Sequence, residues 1–133
     1  MEELRGGADV VLKKIMRQAA AERASDVHIE PGASFVRVRF RKDGLLSDRF
    51  CLSSSMALNL SVRVKVLGRL DVGESRLPQD GSWAEEIDGV PYDFRISVLP
   101  SMYGETIVIC ILSGRVNFIE KNELGMRREQ ESL

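Results

Sequence analysis

The sequence predicts an α+β domain, an about six-stranded, mostly antiparallel sheet with two helices packed on one face. Three observations predict it. The apolar period changes from four to two near residue 25. Asp-Gly pairs at Asp43-Gly44 and Asp88-Gly89 separate alternating runs. A second helical stripe divides two groups of three strands.

Residues 1–7 (MEELRGG) are expected to be a disordered lead-in, broken by Gly6 and Gly7. A helix follows from Asp9 to Arg23. Val11, Ile15 and Ala19 recur every fourth residue, and Leu12 and Met16 widen that stripe. Asp9 is its expected N-cap. Val27 and Ile29 then alternate with Asp26, His28 and Glu30 on the first strand. Pro31 to Ser34 turns the chain. From Phe35 to Arg41, Val36, Val38 and Phe40 face the core while Arg37, Arg39 and Arg41 face out. Lys42-Asp43-Gly44 makes a hairpin turn into a third strand, Leu45 to Leu52.

Ser53 to Ser55 are expected to cap the second helix. Met56, Leu60, Val64 and Leu67 form its dry stripe, and Arg63, Lys65 and Arg69 its wet face. Residues 71–81 (DVGESRLPQDG) form a polar connector in which Pro78 fixes φ and Asp80-Gly81 closes a turn. Three strands follow, over Ser82 to Ile87, Tyr92 to Leu99 and Thr106 to Leu112. Beyond Ser113 the pattern weakens, and the tail is expected to fray.

With 133 residues, 44% of them hydrophobic and 29% charged, the composition is that of one ordinary globular domain. The net charge of −1 argues against a sequence-independent nucleic-acid binder. Residues 1–25 hold no signal-peptide core, and no window is apolar enough to span a membrane. Cys51 and Cys110, without CxxC spacing, read as two buried thiols in a reducing compartment.

Asp26, His28 and Glu30 share one strand face. Side chains in that pattern stand parallel, about 6–7 Å apart, and converge poorly on a metal. Cross-strand ion pairing with Arg37, Arg39 and Arg41 is the simpler account. The arginine stripe keeps two readings: a solvated face balanced by those acids, or a surface that meets phosphate through planar guanidinium forks. The chain carries one histidine, no GxSxG and no GxxxxGK[ST], so no catalytic set is complete. Trp83 and Tyr103 read as packing residues.

Several segments in order resemble one family. They are ASDVHIEP (24–31), VRVRFRKDG (36–44), VRVKVLGRLDVGESRLPQDG (62–81), DFRISVLPSMYGE (93–105) and ELGM (123–126). Together they resemble the second N-terminal domain, PAS-like in fold, of the type II secretion and type IV pilus assembly ATPases. The resemblance implies a lead-in at 1–7, the domain itself at 8–115, and a linker at 116–133 toward a RecA-like ATPase domain. It implies a hexameric motor, cytoplasmic and peripheral to the bacterial inner membrane. The partners would be the RecA-like ATPase domain, neighbouring motor subunits and inner-membrane platform proteins, with no nucleic acid and no direct membrane insertion. ATP and Mg would belong to the parent protein, and this stretch would hold no cofactor and do no catalysis of its own.

In that family the domain is a lid whose arginines approach nucleotide phosphates. Arg39 and Arg41 match the arginines of the RxRxDG strand, Arg76 the arginine before LPQDG, and Arg95 that of the D-x-R-x-S strand. Three usual arginine positions are neutral here: Ser82, Thr106 and Cys110. Those losses keep two alternatives open, a stand-alone interaction module that kept the fold and an unrelated ligand-binding sensory domain.

Overall fold

Alternating apolar and polar residues give each long strand one dry and one wet side, and the dry sides must be buried against another layer, here the helices. The computed structural model describes residues 1–113. Its elements are β1 (Glu2–Glu3), α1 (Ala8–Ala21), β2 (Asp26–Pro31), β3 (Phe35–Lys42), β4 (Leu45–Ser53), α2 (Met56–Gly68), β5 (Gln79–Ile87), β6 (Val90–Ser101) and β7 (Gly104–Ser113). The sheet order is β1-β4-β3-β2-β7-β6-β5. Every described pairing is antiparallel except β1 with β4. The expected α+β class is therefore what the chain adopts.

Both helices cover the same side. Val11, Leu12, Ile15, Met16 and Ala19 of α1 join Leu60 and Val64 of α2 in one core with Val27, Phe40, Phe94, Ile96 and Ile109. The other side of the sheet is polar and bears no helix among the described residues. No helix among these residues is long and apolar enough to cross a membrane.

Several boundaries differ from expectation. The sheet has seven strands, because Glu2 and Glu3 pair with Phe50 and Cys51 and Leu4 is 7% exposed. So short a strand leaves no periodic trace in the sequence. Asp9 lies inside the first turn of α1 and Gly7 holds the N-cap, so Asp9 favours the helix through its dipole instead. Ser55 is the N-cap of α2 but makes no side-chain capping bond; Ser53 and Ser55 hydroxyls bond each other. Gln79, Asp80 and Gly81 belong to β5, so the connector ends at Pro78. Cys51 and Cys110 are half-buried and free, since alternation puts both on the polar side. The sequence signals at 116–133, including ELGM, lie outside the described residues.

Two glycines let α2 settle against the sheet. A Cβ on Gly68 would lie 2.6 Å from Ile96 Cδ1, and one on Gly81 would lie 2.9 Å from the Gly68 carbonyl. The left-handed C-cap of α2 falls one residue later, on Arg69 at φ 59°. Close packing, rather than backbone freedom, thus sets where this glycine goes. The hairpin turns follow chemistry more simply: Asp43-Gly44 and Asp88-Gly89 both take positive φ at both positions.

Candidate functional site

Antiparallel register brings the outward residues into rows across the polar side. One row runs Arg41, Asp26, Cys110, Arg95, Ser82. The next runs Asp48, Arg39, His28, Val108, Ser97, Asp80. Arg39, Arg41 and Arg95 therefore share one face. Arg41 and Arg95 are three strand spacings apart, about 14 Å. Arg76 stands outside the rows, in the connector before β5.

Arg39 and Arg41 sit in a field of carboxylates. Arg41 Nε lies 3.5 Å from Asp26, and Arg39 lies 3.5 Å from Glu30 and 3.6 Å from Asp48. Arg37 lies 3.7 Å from Glu30 and 3.9 Å from Asp48. His28 stands between Asp26 at 3.7 Å and Glu30 at 3.8 Å. The cross-strand account of Asp26, His28 and Glu30 holds. Among the described residues no group of three or more such side chains could hold a metal. These distances exceed the 2.7–2.9 Å of a good charge-assisted hydrogen bond. Attraction across the hairpin is thus mainly Coulombic, and the buried Nε of Arg39 donates to no group among the described residues.

Arg95 and Arg76 present the opposite case. Arg95 is exposed and forms no ion pair among the described residues, with Asp93 or with any other acid. Its row neighbours, Cys110 and Ser82, are neutral. The Arg76 guanidinium is equally unengaged among the described residues, but its backbone is fixed. Glu74 Oε2 accepts from the Arg76 N–H at 2.7 Å and the Leu77 N–H at 3.1 Å. The Gln79 amide clasps the same loop, accepting from the Asp71 N–H at 2.8 Å and donating to the Asp71 and Glu74 carbonyls. The connector is rigid through these bonds as well as through Pro78.

Lys65 completes the clasp, and sequence reasoning placed it wrongly on the wet face of α2. It is 2% exposed, pairs with Glu105 at 2.9 Å and donates to the Glu74 carbonyl. One buried ammonium thus ties α2, the start of β7 and the Arg76 loop together. The only trace in the sequence is the position of Lys65 beside Val64 on the inward side of the helix.

The three neutral positions lie on two strands, Ser82 in β5 and Thr106 and Cys110 in β7. Ser82 faces Arg95 across β5 and β6. The Thr106 hydroxyl donates to Ser101 Oγ at 3.2 Å. Cys110 lies between Asp26 and Arg95. Burial pushes its thiol pKa up, nearby Asp26 adds to the rise, and Arg95 opposes it. The thiol is therefore protonated and weakly nucleophilic at neutral pH.

Comparison with known proteins adds identity to this geometry. Residues 5–133 match the family described as Type II/IV secretion system protein. The chain is 40% identical over 117 residues to the protein transport protein HofB homolog of Escherichia coli, covering 88% of this chain and 25% of that protein. It is 38% identical over 122 residues to the type II secretion system protein HxcR of Pseudomonas aeruginosa, covering 90% and 26%. It is 36% identical over 116 residues to the type II secretion system ATPase E of Vibrio cholerae, covering 87% and 23%. The chain thus spans about a quarter of the length of the curated relatives it matches.

Proposed function

The chain belongs to the type II/IV secretion system protein family, and from that premise we propose that it is the lid domain of a secretion or pilus-assembly motor ATPase. The observation that carries this reading is the contrast among its arginines. Arg76 and Arg95 are unpaired among the described residues, and the backbone under Arg76 is locked. A cation held without a carboxylate suits an anion that arrives from another domain. Nucleotide phosphates on a RecA-like domain are such an anion, and ATP with Mg would be bound there. This chain would contribute guanidinium donors that stabilise charge on the transferring phosphoryl group. Motion of the lid would bring them in and withdraw them. In this reading the domain works in the cytoplasm, beside neighbouring motor subunits and the platform proteins of the inner membrane.

One observation favours the stand-alone interaction module. Arg39 and Arg41 already face carboxylates, and Cys110 and Ser82 are neutral, so much of the face is balanced without phosphate.

The test joins this chain to its RecA-like ATPase domain and measures turnover. Arg76→Ala and Arg95→Ala should each lower kcat by about 100-fold, as removal of a preorganised charge donor does. The same changes in the 133-residue chain should shift unfolding by less than about 0.5 kcal/mol. Unchanged turnover would remove the lid reading and leave the interaction module.

A further inference from the structure

The two edges of this sheet are built differently. At one edge β1 covers part of β4, and the β3–β4 pairing shifts register between Val38 and Arg39 of β3, which makes Arg49 of β4 the extra residue of a bulge. Both are ways of closing an edge to further pairing. At the other edge, β5 runs nine residues in unbroken register against β6. Among the described residues its second backbone edge pairs with nothing. It contains no proline, lysine or arginine, and its charges are Asp80, Glu85 and Glu86.

Beside this open edge lies a groove of about 370 Å³ between β5 and the two helices. Leu12, Met16, Leu67 and Trp83 supply its apolar floor, and its rim carries both signs, Lys13, Arg17 and Arg63 beside Asp9, Glu85 and Asp88. Alternation places Asp80, Ser82 and Glu86 on the opposite, polar side of the strand.

We propose that the β5 edge receives an extended segment of a protein partner, apolar at every second position and basic at the positions between. Strand addition supplies backbone hydrogen bonds, while alternate side chains enter separate environments. Side chains turned toward the helices meet the apolar floor of the groove, whose rim charges balance one another, Arg17 being paired with Asp88, so that an apolar side chain gains more there than a charge of either sign. Those turned the other way meet Asp80, Asp93 and Glu86 against the single cation of Arg95, which favours lysine or arginine. A second copy of this chain is a poor occupant. Self-pairing of β5 would set one acidic strand against another with no cation between them, and like charges across a ladder destabilise it.

Trp83 is the only tryptophan, so its emission reads occupancy of the groove. The 133-residue chain is titrated with blocked hexapeptides alternating Lys–Val, Glu–Val or Lys–Ser. The Lys–Val peptide should shift Trp83 emission saturably and add amide-exchange protection confined to β5. The Glu–Val and Lys–Ser peptides should each bind at least about tenfold more weakly. Glu86→Lys, at an exposed position, should weaken Lys–Val binding about fivefold, with Glu86→Gln intermediate and thermal melts confirming that both fold. Overturning results are absence of a saturable shift, equal binding of Glu–Val, or protection mapped to another strand. Concentration-dependent dimerisation that protects β5 without peptide would also overturn the proposal, with a second copy as the occupant.

Discussion

Arg41 and Arg95 lie in the same row on the same side of the sheet, three strands apart. Arg41 stands 3.5 Å from Asp26, in a hairpin where three arginines face three carboxylates. Arg95 looks across at a thiol and a hydroxyl. By resemblance Arg41 falls in the RxRxDG strand and Arg95 in the D-x-R-x-S strand of one family, so resemblance alone does not separate them. Their neighbours do. In the β2–β4 field the folded chain supplies the counter-charges. In the β5–β7 field Asp80, Asp93 and Glu86 share the face but none comes within ion-pair distance of Arg95, and the loop that carries Arg76 is bolted down. A guanidinium that already has partners contributes to folding. One held in place without partners is available to a ligand.

The hardest way to break the open field touches no arginine. Lys65→Ala removes the ammonium that links Glu105 to the Glu74 carbonyl. It leaves Glu105, 9% exposed, as an uncompensated buried acid. Urea unfolding of the 133-residue chain should show a loss of about 3–5 kcal/mol. The double variant Lys65→Met with Glu105→Leu should recover all but about 1 kcal/mol, the remainder being the lost bond to the Glu74 carbonyl. Equal losses in the single and double variants would mean that packing, not charge pairing, holds the loop.

That clasp also marks the limit of what the sequence discloses. The alternation of Val36, Val38 and Phe40 with Arg37, Arg39 and Arg41 was legible because the cause is local: a strand side is either dry or wet. The Asp-Gly turns were legible because two positive φ angles demand particular residues. The carboxylates opposite the arginines followed from turn length and register. Lys65 was not legible, because its burial depends on Glu105, forty residues away, and on a backbone carbonyl that carries no residue signature. Gln79 to Gly81 read as a turn by composition, yet pairing with Ile96 to Val98 draws them into β5. The exposed stripe of Leu58, Val62 and Val66 on α2 shows the same limit. Apolar spacing reports a helix, but the sheet decides which of two apolar stripes is covered.

A smaller change turns part of the paired field into an open one. Glu30 serves Arg37, Arg39 and His28 together, at 3.5–3.8 Å. Glu30→Gln keeps its shape and removes the charge. Because the contacts are long and partly solvated, the expected loss is about 1 kcal/mol by urea unfolding. That is more than Arg95→Ala should cost and much less than Lys65→Ala. If Glu30→Gln and Arg95→Ala cost the same, the two fields do not differ energetically and the contrast between them fails.

The smallest effect comes from an arginine that is paired but fully exposed, and it separates pairing from burial. Arg17 donates to Asp88 at 2.7 Å and ties α1 to the turn between β5 and β6. That hydrogen bond, reinforced by the charge of Arg17, holds the Asp88 carboxyl below its ordinary range. A carboxylate whose folded pKa is depressed stabilises the fold above its unfolded pKa, about 4, and loses that contribution as pH falls through the folded value. The difference in stability between the parent chain and Arg17→Ala should therefore be constant at neutral pH and shrink to nothing in acid. It should also shrink with added salt, because both side chains are solvated. Melts at several pH values and two salt concentrations check both trends. A difference that persisted in acid would show that Arg17 acts through its aliphatic stem against the groove, and that even so close an ion pair is not what couples α1 to the hairpin.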